Sequence, residues 1–222
     1  METRVSDLRI SKPGWYPDMS DEDYHADPCA EPSLNSSVLK VLLRRTPRHA
    51  WTAHPRLNPA FKPKSKDAFD VGRAVHLLLL GGEDRFCVVD ADNWQTKAAK
   101  EARANARASG MIPLLAEQFE KLRAMGWEVR QQIVEDFGVE LCHGKAEQTL
   151  IWRAKNGVMC RCRVDWISSD GGLVIDFKTT SADATPEAWG WTVAWNTGCH
   201  LQQAHYVDGI QTITGRTPRF LF

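Results

Sequence analysis

Two stretches of alternating apolar and polar residues, separated by a turn signal, constrain the fold of this 222-residue chain most strongly. In VMCRCRVDW, residues 158–166, the even positions are apolar and three successive odd positions are charged. In LVIDFK, residues 173–178, the apolar odd positions alternate with Asp176 and Lys178. This period of two predicts two strands, each with a buried face and a polar face.

The dipeptide Asp170-Gly171 between these strands is a signal for a two-residue hairpin turn. In such a hairpin the numbers of facing residues add up to 341, which places Asp165 opposite Asp176 on one face. Cross-strand neighbours have Cβ atoms about 4.5–5.5 Å apart, so two like charges destabilise the sheet unless a cation lies between them. Mg²⁺ prefers carboxylate, water and phosphate oxygens. Because Lys178 shares that face and can stabilise charge on a phosphate, the pattern predicts phosphodiester hydrolysis.

The same residues also fit an exposed hairpin whose acids and lysine are merely solvated. D-x-K alone does not separate the two interpretations, because acidic and basic residues alternate on many exposed strands.

The rest of the chain predicts helices, then a meander of strands, then helices, which indicates a mixed α/β (α+β) fold with a central mixed sheet flanked by helices. We expect residues 1–34, with four prolines, to be irregular, and residues 35–222 to form a single domain. Helices are predicted after Asn35 or Ser36, after Asp67, and over residues 93–109, 113–125, 186–196 and 199–214. Strands are predicted over residues 85–90, 147–154, 158–167 and 172–179.

Charge and cysteine usage narrow the function classes. The net charge is zero, but residues 44–66 contain seven basic residues and no acid: Arg44, Arg45, Arg48, Arg56, Lys62, Lys64 and Lys66. This segment is either a phosphate-binding face or a solvated loop broken by prolines. The spacing of the six cysteines suits neither a disulfide framework nor a zinc site, which predicts reduced thiols and a cytoplasmic protein. No apolar run is long enough for a membrane span, and the N-terminal residues are not expected to act as a secretory signal.

Several motifs together resemble a known nuclease group. VIDFKTT resembles the D-x-K strand of RecB-type nucleases in the PD-(D/E)XK superfamily, and CRCRVDWI resembles the strand that supplies their first aspartate. Gln202 and Tyr206 match a Q-x-x-x-Y helix motif, and GRAVH, residues 72–76, resembles a helix with a metal-binding histidine. With YHADP at 24–28, the order most resembles the exodeoxyribonuclease VIII (RecE-type) branch, over roughly residues 20–222.

The resemblance implies a restriction-endonuclease-like core and a set of site residues. Asp165 and Asp176 would hold Mg²⁺ or Mn²⁺, with the carbonyl of Phe177 as a third ligand and His76 as a further ligand. Lys178 would be the catalytic lysine, and Gln202 and Tyr206 would orient the lysine, the water or the scissile phosphate. The plainer alternatives are a core histidine at position 76 and a surface pair on the helix.

Glu147 is a further candidate, because RecB-type enzymes carry a glutamate in the preceding strand. A two-residue turn at Asn156-Gly157 makes facing numbers add up to 313, which places Gln148 beside Asp165. A bulge or a longer turn would bring Glu147 to that face instead.

For function, the resemblance implies a deoxyribonuclease, foremost an exonuclease acting on double-stranded DNA ends in a phage or prophage recombination system. It further implies a homo-oligomer and a single-strand annealing recombinase as partner. An endonuclease of restriction or repair type, or an inactive DNA-binding module, remains an alternative. No iron–sulfur cluster is expected, because only Cys199 follows the lysine motif. Because the family usually continues past the Q-x-x-x-Y helix with a further strand and helices, a chain that stops at Phe222 is expected to be a fragment or a reduced version.

Overall fold

The computed structural model describes residues 9–62, 68–180, 183 and 185–222, with the backbone alone for residues 68–71, 73 and 191–193. The chain divides into two units, one of residues 1–64 with 145–222 and the other of residues 65–144. In chain order, the elements are β1 (Gly14–Tyr16), α1 (Asp21–Ala26), α2 (Ser36–Arg44), α3 (Pro47–Ala53), α4 (Ala68–Leu80), β2 (Phe86–Val89), α5 (Lys97–Ala108), β3 (Ile112–Leu115), α6 (Ala116–Phe137), β4 (Gly144–Arg153), β5 (Met159–Ser168), β6 (Leu173–Ile175), α7 (Pro186–Ala188), a π-helix (Trp189–Ala194), α8 (Trp195–Thr197), α9 (Cys199–Thr214) and β7 (Arg219–Leu221).

A mixed sheet forms the centre of the first unit. Within the described residues it has five strands in the order β1-β4-β5-β6-β7. β1 pairs antiparallel with β4, β5 pairs antiparallel with β6, and β6 pairs parallel with β7. The fold is therefore mixed α/β, with a central mixed sheet flanked by helices.

Helix α9 covers one face of this sheet. Tyr206 and Ile210 pack against Leu150, Trp152 and apolar residues of β5 in a buried cluster. The helix approaches β4 closely at Gly209, where an added Cβ atom would lie 2.7 Å from the indole of Trp152. Helix α2 packs against α9 on the outside. Its first turn is capped by Asn35, whose side chain accepts a hydrogen bond from Val38 N–H, as one of the two predicted caps.

The N-terminal segment packs on the opposite side of β4 and β5. Met19, Tyr24 and Cys29 form a buried cluster with Ile151 and Met159. Residues 9–34 thus contain β1 and α1, whereas the proline pattern predicts irregular structure. The prediction fails there because β1 obtains its stability from pairing with β4, a contact that local sequence does not reveal.

A buried ion pair fixes this segment to β5. Arg161, which the alternation places on a polar face, is fully buried and lies 3.2 Å from the buried carboxylate of Asp27. Ser33 N–H and Ser33 Oγ also donate to that carboxylate, at 2.9 and 2.6 Å. His54 Nε2 and Arg56 Nη1 lie 3.5 and 3.8 Å from it.

The second unit has its own small core. β2 and β3 pair in parallel, and Leu78 of α4 packs with Phe86, Ile112 and Leu114. Residues 112–115 form a strand where the sequence predicts a helix over 113–125; the helix begins only at Ala116. The short apolar run obtains its strand conformation from pairing with β2, which helical periodicity cannot reveal.

The other predicted elements differ mainly in length. α9 matches the predicted helix 199–214, whereas β6 covers only part of the predicted strand 172–179. α3 lies in a part of the chain where the sequence predicts no element, and the final apolar residues form β7. All six cysteines are free thiols. Among the described residues, no helix is long and apolar enough to cross a membrane.

Candidate active site

Asp165 lies on β5 and Asp176 directly follows β6, and the two strands pair in the register that the sequence predicts. β5 and β6 pair residues whose numbers add up to 341, as in Trp166 with Ile175. Asp176 follows the last residue of β6, and only 1% of it is exposed. Asp165 Oδ2 accepts a 2.8 Å hydrogen bond from the N–H of Phe177. The first carboxylate is therefore bonded to the segment that carries the second.

The connection between β5 and β6 is wider than the predicted two-residue turn. Gly171 N–H donates to Ser168 O, and Leu173 N–H donates to Ser168 Oγ, both at 2.9 Å. The loop covers residues 169–172, because one residue is added on each side of the predicted turn. This symmetric extension leaves the register unchanged.

Two polar side chains contact the Asp176 carboxylate, and a third holds one of them in place. Gln202 Nε2 donates to Asp176 Oδ1 at 2.7 Å, and Lys178 Nζ contacts Asp176 Oδ2. Lys40 Nζ, from α2, donates to Gln202 Oε1 at 3.0 Å. Because lysine can only donate, it fixes the Gln202 amide with its NH₂ group toward Asp176. Two of the predicted residues, Lys178 and Gln202, are thus in direct contact with the predicted metal ligand.

Burial also changes the electrostatics of the two lysines. Burial lowers the pKa of Lys178, while the nearby negative charge of Asp165 acts in the opposite direction. Burial likewise lowers the pKa of Lys40, and the neighbouring Arg44 adds to the effect. The side chain of Lys178 keeps 28% of its surface exposed.

The hairpin between β4 and β5 has a three-residue loop. Ala154 N–H donates to Val158 O at 2.9 Å, and Gly157 N–H donates to Ala154 O at 2.8 Å. Residues 155–157 are therefore the loop, and facing numbers add up to 312. Gly157, with φ +85°, takes the left-handed conformation that such loops require. The predicted two-residue turn with a sum of 313 is wrong.

This register brings Glu147, rather than Gln148, opposite Asp165. A carboxylate oxygen of Glu147 lies within 4.8 Å of one of Asp165. Arg163 Nε donates to Glu147 Oε2 at 2.6 Å. Glu147 also has a left-handed backbone with φ 52°, a conformation that costs a non-glycine residue roughly 1–3 kcal/mol and is frequent at active sites.

The carboxylates of Glu147 and Asp165 fit a hard divalent cation. Mg²⁺–oxygen bonds of about 2.0–2.1 Å in octahedral geometry place adjacent ligand oxygens roughly 3 Å apart, and the oxygens of Glu147 and Asp165 lie within 4.8 Å of each other. Two acids this close are unfavourable without positive charge between or beside them, and Arg163 supplies such a charge at Glu147. Oxygen-only ligands favour Mg²⁺ or Mn²⁺ over softer metals.

The remaining predicted residues lie in different surroundings. Tyr206 is buried in the α9 cluster, where burial raises its pKa well above the ordinary value; Ser36, beside its hydroxyl, opposes this. Its hydroxyl is thus directed at α2 rather than at Lys178. Phe177 is buried, and its N–H bonds to Asp165. His76 is half-buried on α4, in the second unit.

The predicted basic segment does not act as one uniform face. Arg44 donates to the carbonyls of Trp195 and Asn196, and Arg56 donates to the carbonyl of Cys29. Arg48 of the same segment lies over the Trp51 ring, 4.4 Å from its centroid. The remaining basic residues of the segment are Arg45 and Lys62, which are exposed, and Lys64 and Lys66, which lie outside the described residues.

Sequence reasoning missed Lys40 and Arg163 as site residues. Lys40 lies one helical turn before Arg44, outside the basic segment as defined, and its partner Gln202 is 162 residues away. Arg163 lies two positions before Asp165 on the same strand, so the period of two already placed it on the acidic face. Strand periodicity could therefore have identified Arg163 as a site residue.

The fold and site define an acidic centre with an adjacent lysine, on a mixed sheet covered by a glutamine-bearing helix. Over residues 36–222, the chain matches the family described as PDDEXK-like domain of unknown function (DUF3799). The chain belongs to this family, which supports the predicted PD-(D/E)XK superfamily and indicates a nuclease-type function. Comparison with curated proteins gives no match.

Proposed function

We propose that this protein is a metal-dependent deoxyribonuclease that hydrolyses phosphodiester bonds, foremost from double-stranded DNA ends. The observation that carries the proposal is the convergence of Lys178 and Gln202 on the carboxylate of Asp176. Asp165 lies beside this group, because its carboxylate accepts a hydrogen bond from the N–H of Phe177, the residue between Asp176 and Lys178. The RecE-type resemblance supports exonuclease action in phage recombination, a homo-oligomer and an annealing recombinase as partner. An endonuclease is the second candidate, since the PDDEXK-like family does not distinguish the two.

The acidic residues of the site are proposed as metal ligands. Glu147, Asp165 and Asp176, with the carbonyl of Phe177, would hold Mg²⁺ or Mn²⁺, and His76 remains a proposed further ligand. When bound, the cation would supply Lewis-acid activation of the scissile phosphate and of the attacking water.

The other side chains act on the substrate or on the ligands. The ammonium group of Lys178 would stabilise the negative charge that builds up on the phosphate oxygens as water attacks phosphorus. Gln202 keeps Asp176 in position through its 2.7 Å hydrogen bond. Tyr206 supports the helix that carries Gln202 by packing against the sheet.

A direct test incubates the protein and two variants with linear and closed circular duplex DNA, with Mg²⁺ or Mn²⁺. Asp176→Asn removes the buried carboxylate charge but keeps its shape, so cleavage should fall at least 100-fold while DNA binding persists. Asp170→Asn is the matched control, because this aspartate lies in the same hairpin but pairs with Arg216 at the surface.

The pattern of products separates the candidates. Loss of linear DNA alone supports the exonuclease, whereas nicking of circles supports the endonuclease. Binding without hydrolysis by the unmodified protein, or full activity of Asp176→Asn, would refute the proposed function.

A further inference from the structure

Trp195 is an exposed aromatic side chain held in a fixed orientation. No large apolar side chain among the described residues is more exposed, and 64% of its surface is accessible. Its indole stacks on the imidazole of His200 with centroids 4.7 Å apart and planes 11° apart. One face of the indole is therefore covered, and the exposed surface is the opposite face and the ring edges. An aromatic ring held in one orientation with a free face can stack on another flat π system.

Contacts with α2 hold the backbone that carries this ring. Arg44 Nη1 donates to Asn196 O at 2.6 Å, and Arg44 Nη2 donates to Trp195 O. Gly198 lets the chain approach α2: it has φ +72°, and an added Cβ atom would lie 3.3 Å from Arg44 Nη2 and from side-chain carbons of Lys40. The ring is thus presented by a backbone anchored at several points.

The same contacts connect the ring to the candidate active site. Lys40 and Arg44 lie four residues apart on α2, hence on one face and about 6 Å apart along the helix axis. Lys40 bonds to Gln202, which bonds to Asp176. A row of cations therefore leads from the acidic centre to the exposed indole. A guanidinium group has five N–H donors, so Arg44 can hold the loop and still donate to a phosphate.

We propose that Trp195 is a stacking site for an unpaired DNA base of the strand whose phosphodiester bond lies at Asp176, with Arg44 and Lys40 binding its phosphates. The assignment to this strand rests on the proposed nuclease function. Aromatic rings take bases of any sequence, because every base has a π face, and cations supply affinity for the backbone. A base within a duplex is already stacked on its neighbours, so the site selects a strand that is unpaired near the scissile bond.

The test measures DNA affinity by fluorescence anisotropy with Ca²⁺ in place of Mg²⁺, using a labelled single strand and a flush-ended hairpin. Removal of one stacking ring costs about 1–3 kcal/mol per base, so Trp195→Ala should weaken single-strand binding roughly 5- to 150-fold. Trp195→Phe should keep most of the affinity, because it keeps an aromatic face. Trp127→Ala is the matched control, since Trp127 is 57% exposed on α6 and should leave affinity unchanged.

An oligonucleotide of abasic residues supplies the decisive comparison. The unmodified protein should bind the abasic strand as weakly as Trp195→Ala binds the normal strand. The affinity of Trp195→Ala should be nearly the same for the abasic strand and the normal strand. The stacking site is overturned if Trp195→Ala binds the normal strand within twofold of the unmodified protein, or if Trp127→Ala loses as much affinity. It is equally overturned if light scattering shows that Trp195→Ala changes only the oligomeric state.

The two proposals fail in different ways. If the protein does not hydrolyse DNA but binds single strands through Trp195, the nuclease function fails and the stacking site remains. If hydrolysis is normal and Trp195→Ala binds normally, only the stacking site fails.

Discussion

Substitution of Asp27 by asparagine tests how the N-terminal segment is attached to the sheet. The carboxylate is 2% exposed and faces Arg161, which is fully buried. Asparagine keeps the size of the side chain and tolerates the left-handed backbone of this position, φ 65°. The variant therefore removes the charge, replaces one of the two oxygens that accept from Ser33 by an NH₂ group, and leaves the guanidinium of Arg161 uncompensated in the interior.

The expected cost follows from that uncompensated charge. Removal of one partner of a buried ion pair costs about 3–5 kcal/mol, and every 1.4 kcal/mol is a factor of ten in an equilibrium constant. The population of locally opened molecules should thus rise roughly 100-fold or more. Hydrogen exchange by mass spectrometry, on peptides from β4 and β5, measures this opening in the unit concerned rather than in the whole chain.

A matched variant lies four residues away in the same segment. Glu31 pairs with Arg153 at 3.0 Å, but both side chains are exposed, so Glu31→Gln should leave exchange within experimental error. If Asp27→Asn changes the opening free energy by less than about 1 kcal/mol, or no more than Glu31→Gln does, the buried pair is not what holds the segment.

Three further outcomes follow from the structure. Burial lowers the pKa of His54 and of His205, so the folded state disfavours their protonation. The free energy of unfolding, measured by urea denaturation, should therefore be highest above about pH 6.5 and fall toward pH 5. Gly209→Ala should destabilise the protein by about 1–3 kcal/mol, because its methyl group would overlap the buried Trp152 indole. Lys178→Gln should slow single-turnover cleavage by about 100-fold or more and leave Mn²⁺ affinity largely unchanged.

Each of these has a contradicting result. A free energy of unfolding that stays constant or increases as the pH is lowered from 7 to 5 would show that the buried histidines are protonated at no cost in stability. Gly190→Ala is the control for the overlap, since nothing lies within 4 Å of its added Cβ atom. Equal stability of the two alanine variants would contradict tight packing at position 209. Loss of Mn²⁺ binding alone in Lys178→Gln would contradict its proposed contact with phosphate.

The register of the acidic pair was accessible from sequence, whereas that of Glu147 was not. Alternation and a turn signal fix the pairing of β5 with β6, and symmetric extension of the loop preserves it. Asn156-Gly157 suits both a two-residue turn and the three-residue loop that forms. The two loops differ by one in register, and a shift of one exchanges the residues that face Asp165.

Burial of Arg161 and the role of Lys40 depend on contacts between distant parts of the chain. Strand periodicity places Arg161 on a polar face, but the N-terminal segment covers that face and brings Asp27 to it. Lys40 reaches the site only because α2 packs on α9. The family resemblance supplied Gln202, and the structure places its amide between Asp176 and Lys40. Partners of buried charges are the part of a site that local patterns predict least well.

The central claim is that the carboxylates of Glu147 on β4 and Asp165 on β5 share a divalent cation. Anomalous diffraction from crystals soaked in Mn²⁺ locates such an ion directly. We expect a peak bounded by the oxygens of Glu147 and Asp165, and its loss in Asp165→Asn crystals. Absence of that peak, or Mn²⁺ found only at the exposed cluster of Glu140, Cys142 and His143, would contradict the account.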